Sequence, residues 1–349
     1  MAGAVPAMAV DRFVTRDGFS GSLDGRNIAL WQSHGWYFEQ KLDRWEWQRA
    51  RIFQTVEDLY PQSYVLPFLI PMLENAGAYV MTPRERDTSR YEVIVDRDGG
   101  YAYDGYSEHH GKRRWSDAPA AGFGYTKATL EDGDNMFRNG GVRMVKAVEK
   151  PSDVSTASWH AEIPADGTYA VYVSYATLPE SAPDVTYRIN SQAGTRRVTV
   201  NQRMGGGTWV YLGHFPLKAG RGDKPVVEMD NISAAHGAVV TADAVQIGGG
   251  VGNVARRVAS GDPAVDYEYH TSGYPRFTEG ARYWLQWAGV PDSVYTPTAG
   301  ENDYNDDYLC RGAWVNWLAG GSCRLPKEQG LGIPIDLSFA FHTDAGTKT

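Results

Sequence analysis

Cysteine is scarce: Cys310 and Cys323 are the only two in 349 residues, so at most one disulfide can form. Twelve residues separate them, which allows a loop-closing bridge in an oxidising compartment; two unpaired thiols are the other reading. Positive charge is also in short supply. Thirty-four Lys and Arg face 42 Asp and Glu, a net charge of -8 with a pI near 5.5. That balance argues against nucleic-acid binding, which wants a basic face to neutralise phosphates. No run approaches the roughly 18 apolar residues a membrane helix needs. The start, Met1 to Pro6, is too short for a signal peptide and reads either as what remains after removal of a leader or as an engineered start. What is plentiful is Gly (39), Tyr (21) and Trp (11), a composition suited to turn-rich β architecture in an extracytoplasmic setting.

The length exceeds what one core usually serves, so two domains are expected. Residues 28–34 read as a short apolar strand ending in His34. Residues 43–58 are rich in helix formers and Trp. A helix is expected over Ser63–Asn75, kinked or starting late because of Pro67 and Pro71. Gly77 then stops it before a strand at 78–81, giving a βαβ pattern. From about Asp96 to Gly250 the texture changes to short alternating strands such as 168–175, the pattern of a β-sandwich. Helical texture returns at 279–288 and over Leu309–Leu318, and 333–342 reads as a buried strand that again ends in His. The expectation is therefore an α/β domain (1–95 and 259–349) interrupted by an all-β insert (96–258), with a last strand and helix of the α/β layer lying beyond the chain.

His34 and His342 close two expected sheet strands. In open α/β sheets, ligands bind beyond the carboxyl ends of strands. Two imidazoles there with one carboxylate suit a catalytic zinc ion, which takes three protein ligands and keeps a position for water. Glu57 is the favoured carboxylate, with Glu46 and Glu39 as rivals. Taken singly, each histidine is more often a core or surface residue; the joint pattern at two strand ends outweighs that.

Ser33-His34-Gly35, Glu57, Asn75-Ala76-Gly77-Ala78-Tyr79-Val80, Pro83-Arg84-Glu85-Arg86-Asp87 and Phe341-His342-Thr343-Asp344 resemble the zinc N-acetylmuramoyl-L-alanine amidases. The resemblance implies an amidase-like three-layer α/β fold, Zn2+ on His34, Glu57 and His342, and cleavage of an amide bond in peptidoglycan. The string Arg44 to Arg51, the segment 280–289 and the insert motifs Asn201-Gln202, Gly206-Gly207-Thr208-Trp209 and Asp243 to Gly250 resemble bacterial proteins labelled xanthan lyase or golvesin-domain proteins. That resemblance implies a polysaccharide-active enzyme, or a non-catalytic glycan-binding or adhesion protein on the same scaffold. Departures from the amidase pattern are Trp36 where it has Gly, Asp344 where it has Asn, and no catalytic Glu after the last His. Asp344 and Glu39 are then the candidates for the base.

Trp36 is the best placed ring for substrate contact, whereas Trp45 and Trp47 fit core packing. The pairs Arg49/Arg51 and Arg84/Arg86 could grip a substrate carboxylate, or simply pair with Glu46, Glu85 or Asp87. The acidic run 301–307 lacks the spacing of a calcium loop and reads as a solvated loop. His109-His110 with Lys112-Arg113-Arg114 reads as an exposed loop of the insert. Gly248 to Gly252 opens no helix with a phosphate fingerprint, so nucleotide binding is rejected.

Overall fold

Asn27–Gln32 forms strand β1, with Ile28 and Leu30 buried on one face and Ala29 on the other. Burial on both faces is why its sequence is a continuous apolar run, as parallel strands require. The computed structural model describes residues 8–11, 21–52, 55–256, 270–321, 327 and 329–342. After β1 comes a hairpin of β2 (Trp36–Glu39) and β3 (Arg44–Trp47), in which Trp36 pairs with Trp47 and Phe38 with Trp45. The helix-forming composition of 43–58 is thus overridden there, because cross-strand aromatic pairs stabilise a ribbon.

Helix α1 (Leu59–Tyr64), a π-turn (Val65–Leu69) and α2 (Ile70–Asn75) follow without a break. Pro67 and Pro71 carry no backbone donor, and the chain accommodates them by widening: the Ile70 N–H bonds Val65 O, five residues back. Gly77 turns the chain at φ 108° into β4 (Tyr79–Met81).

The antiparallel part begins with β5 (Val93–Val95), a little before the compositional break. It continues through β6 (Tyr106–His109), β7 (Ser116–Gly122), β8 (Gly140–Lys146), β9 (Thr156–Trp159), β10 (Gly167–Val173) and β11 (Val185–Ser191). β12 (Gly194–Val200), β13 (Val210–Leu217), β14 (Val227–Asp230), β15 (Val239–Ala242) and β16 (Val245–Ile247) complete it. One sheet runs β12-β11-β14-β9-β6, with Val10–Asp11 added beside β12; a second runs β13-β10-β16-β5, and a third β7-β8-β15. Helices α3 (Ala281–Trp287) and α4 (Asp303–Ala319) precede the last strand, β17 (Leu337–Phe341).

The parallel sheet has the order β17-β1-β4. Its face with Ile28, Leu30 and Val80 packs on Val65 and Ile70 of the helical segment. Ala29, Tyr79 and Met81 on the other face join the large core shared by the sandwich, α3 and α4.

This corrects the expected fold. The structure is 36% strand and 18% helix, and it is not an amidase-like three-layer α/β domain. The physical reason is one of proportion. Most strands pair antiparallel in three sheets, while the parallel sheet is three strands wide among the described residues.

Within the sandwich, Asp96 and Asp243 are buried carboxylates. Burial, and for Asp96 the nearby Asp243 charge, push Asp96 up to about 8; burial likewise pushes Asp243 up to about 7. Folded protein holds these protons where the unfolded chain has released them, so their contribution to stability falls as pH rises from about 4 to about 8. Asp96→Asn is expected to flatten that slope, read as a smaller difference in melting temperature between pH 5 and pH 8 than wild type shows.

Candidate metal centre

β1 and β17 pair parallel and in register, Gln32 opposite Phe341, and the Ser33 N–H donates to Phe341 O at 3.0 Å. Two strands aligned at the same edge deliver the next side chains to one place. His34 and His342 therefore face each other, with ring centroids 4.8 Å apart. Glu57 comes from the turn between Thr55–Val56 and α1. Ligand atoms of His34, Glu57 and His342 all lie within 4.8 Å of one another. The structure thus brings together the three residues expected to bind metal.

Ser33 sits at φ 48°, a conformation most side chains avoid, and its hydroxyl bridges the site. One proton assignment satisfies the contacts: His34 Nδ1–H donates to Ser33 Oγ (2.9 Å), Ser33 Oγ–H donates to Glu57 Oε1 (3.2 Å), and Arg49 Nη2 donates to His34 Nε2 (3.1 Å). Burial first, then the Arg311 and Arg49 guanidinium groups, push His34 down to about 2, so the ring is neutral. Burial and Arg311 lower His342 as well. Neutral imidazole is the form that ligates a metal.

Behind the trio stands Asp58, fully buried. Its Oδ1 lies 3.6 Å from His34 Nδ1 and receives no hydrogen bond, while Oδ2 accepts the Arg49 N–H at 3.0 Å. Glu57 Oε2 also receives no hydrogen bond, though Arg49 Nε stands 3.2 Å from it. Buried carboxylate oxygens without donors are costly unless a cation joins them. Two neutral imidazoles and an under-satisfied carboxylate fit a zinc-class ion. Arg49 now lies between two of these donors, with a third of its side chain open to solvent.

The remaining expected residues are placed as follows. Gly35 is needed for close approach rather than for a turn: a Cβ there would sit 2.5 Å from Thr278 O and 2.6 Å from Arg84 Nη2. Arg84, expected at the substrate, is fully buried and donates to the carbonyls of Gln32 (2.6 Å), His34, Phe277 (3.0 Å) and Glu279 (2.8 Å). It is a tether for the strand end that carries His34. Arg86 is likewise buried, bonded to Glu74 Oε1 at 2.8 Å and to Val80 O, with its guanidinium 3.9 Å from the centre of the Tyr211 ring. Trp36 is packed between Trp47 and Tyr274, at 4.6 and 4.7 Å between ring centres. Glu39 accepts from Tyr37 OH (2.7 Å) and the Lys41 N–H (3.0 Å), and no hydrogen bond links it to the trio. Asp344 and Cys323 lie outside the described residues; Cys310 is buried on α4.

The acidic run 301–307 is corrected most sharply. Asp303, Asp306 and Asp307 are fully buried in the first turns of α4, not solvated. Asp303 meets Arg256 (2.8 Å) and Arg282 (3.4 Å), Asp306 meets Arg282 (3.9 Å), and Asp307 meets Arg311. Asp58 and Arg311 were missed by motif reasoning, and Arg49, expected at a substrate carboxylate or in an ion pair, instead stands against Glu57 and His34. The adjacency of Asp58 to Glu57 was the one available signal.

Residues 138–249 match the Golvesin C-terminal domain. That segment covers β8 to β16, the greater part of the sandwich. A stretch of 84 residues is 33% identical to a xanthan lyase of Bacillus sp. (strain GL1), covering 24% of this chain and 9% of that enzyme. Among solved structures, a Paenibacillus xanthan lyase aligns with 46% of this chain and 13% of its own at 21% identity, TM-score 0.32. An exo-beta-1,3-galactanase from Phanerochaete chrysosporium aligns with 41% of this chain and 29% of its own at 14% identity, TM-score 0.24. Likenesses that low decide neither fold nor activity. The golvesin-type segment contains none of His34, Glu57 and His342, so the trio belongs to the part of the chain outside the family match. Among the described residues, no helix is long and apolar enough to cross a membrane.

Proposed function

We propose that this chain belongs to an extracellular protein that acts on polysaccharide, with the golvesin-type sandwich engaging the glycan and His34, Glu57 and His342 forming a divalent metal centre. The observation that carries the reading is the convergence of these three side chains, from three distant segments, within 4.8 Å. The polysaccharide half is supported by the golvesin match and by the short stretch shared with a xanthan lyase.

A zinc-class ion bound there supplies Lewis acidity and lowers the pKa of bound water. The chain's own groups do the rest. Ser33 and Asp58 orient the His34 ring, the role outer partners have around ligating imidazoles. Arg49, a third of whose side chain is open to solvent, places positive charge beside the site, suited to an anionic group on a substrate, while Arg311 is buried against Asp307. Amide cleavage in peptidoglycan is a second reading of the same centre. The His-Glu-His donor set favours it, whereas the comparisons favour polysaccharide.

Purified protein is expected to hold about one zinc-class ion per chain, and His34→Ala to lose it. Metal analysis of both, with circular dichroism to confirm folding, is the check. Equal metal in the two proteins rules out the centre. Product analysis on acidic polysaccharide against cell-wall fragments then separates the two readings.

A further inference from the structure

The basic string Lys112-Arg113-Arg114 has no part in the metal centre. It lies in the loop between β6 and β7, where all three side chains are exposed. Lys146 ends β8, Lys150 follows in the next loop, and His236 lies in the turn leading into β15. The pairing of Lys146 with Val239 in the β8-β15 ladder brings those two turns together. The result is a cleft of about 380 Å³ lined by Lys112, Arg113, Lys146, Lys150 and His236. A second depression of about 230 Å³ adjoins it, sharing Arg113 and Lys146 and adding Arg114.

The charge of this groove runs against that of the molecule. The whole chain carries -8, yet five Lys and Arg line the two depressions against two carboxylates, Glu149 and Asp153. Asp153 is already engaged by Lys112 at 3.0 Å. Arg113, Arg114, Lys146 and Lys150 have no carboxylate within ion-pair distance among the described residues, whereas Arg143, Arg188, Arg256, Arg276, Arg282 and Arg311 all do. Unneutralised cations around a concavity raise the local concentration of anions.

The lining also narrows the kind of ligand. No Phe, Tyr or Trp lines either depression, and the His236 imidazole is the single ring among the lining residues. Trp115, between Arg114 and Ser116, is buried with its Nε1–H on Thr156 O at 3.1 Å. One imidazole and no larger ring make a poor platform for successive stacked bases, which single-stranded nucleic acid needs. Nor is there an apolar face for a neutral sugar ring. Recognition here works through charge and guanidinium forks, which match carboxylates.

We propose that this groove binds acidic polysaccharide, a chain whose sugars carry carboxylate groups. The inference rests on the polysaccharide reading above and narrows its substrate class. It is tested by affinity electrophoresis of the full chain through gels containing polygalacturonate or neutral dextran, at about 20 and about 300 mM salt. Wild type is expected to be retarded by polygalacturonate at low salt, and by dextran not at all. The double charge reversal Arg113→Glu/Lys146→Glu, at exposed positions, is expected to weaken retardation about tenfold with an unchanged melting temperature. His34→Ala is expected to behave as wild type. Equal retardation of the double variant and wild type overturns the groove. Retardation by dextran alone overturns it too, while leaving the polysaccharide reading in place. Retardation by neither overturns both. Binding of a single-stranded oligonucleotide that the double variant loses, without binding of polygalacturonate, replaces the ligand class.

Discussion

Asp303→Ala is expected to lower the stability of the folded chain by about 3–5 kcal/mol, because it leaves buried charge uncompensated. Asp303 is fully buried at the start of α4 and serves four partners: Arg256 (2.8 Å), Arg282 (3.4 Å), Tyr283 OH (2.6 Å) and Gln40 Nε2 (2.6 Å). Its removal leaves the fully buried Arg282 guanidinium with a single buried carboxylate, the longer contact to Asp306 at 3.9 Å. Asp132 cannot take over. It contacts both arginines, but its side chain is 63% exposed and water screens it. Asp132→Ala is accordingly expected to cost about 0–1 kcal/mol. Urea unfolding of the two variants is the check; similar losses in both would show that the buried network is not what holds α3 against α4.

Arg84→Ala is the second large effect, and it is expected to act on metal as well as on stability. Four backbone carbonyls, those of Gln32, His34, Phe277 and Glu279, lose their donor in the interior. Each buried acceptor left unsatisfied costs about 1–3 kcal/mol. The His34 carbonyl is among them, so the strand end carrying the imidazole loosens. Metal affinity is expected to fall by about 10- to 100-fold although Arg84 touches no ligand atom, the usual scale for outer-shell changes. Arg84→Lys is not expected to rescue it, since an ammonium cannot span carbonyls on both sides as the planar fork does. Competitive chelator titration measures this, and wild-type affinity in Arg84→Ala would show the tether to be irrelevant to the centre.

What could be read from the sequence, and what could not, divides along physical lines. The meeting of His34 and His342 was legible because parallel strands end at a common edge and strand-end histidines are visible as text, whereas Glu57 came from its place at the start of the next helix and from the amidase resemblance. The sandwich was legible because alternation has a period of two. Arg84 was misplaced because a string of charged residues, Arg84-Glu85-Arg86-Asp87, reads as surface; only coordinates show that the core closes over it. The acidic run of α4 failed for the same reason. Two of its partners, Arg256 and Arg282, lie in segments that sequence proximity does not link, while Arg311 stands one turn along the same helix from Asp307. The hairpin of β2 and β3 was hidden by helix-forming composition, which Trp36, Trp45 and Trp47 override through contacts across the ribbon. The amidase-like layer count failed because three parallel strands suggest a whole α/β sheet when most of the chain builds something else.

The pairing of Ile28 with Leu337 has a consequence for biosynthesis. β1 leaves the ribosome long before the strand that will flank it. At about 5–20 residues per second, the wait is on the order of tens of seconds. Throughout it, one rim of β1 carries open peptide groups on an apolar segment, the kind of surface that invites aggregation or chaperone capture. Chains not yet extended to His342 also lack one of the three side chains of the candidate centre. A three-ligand centre could therefore close only once residue 342 has been made, and long-range closure of that rim is the expected slow phase in refolding.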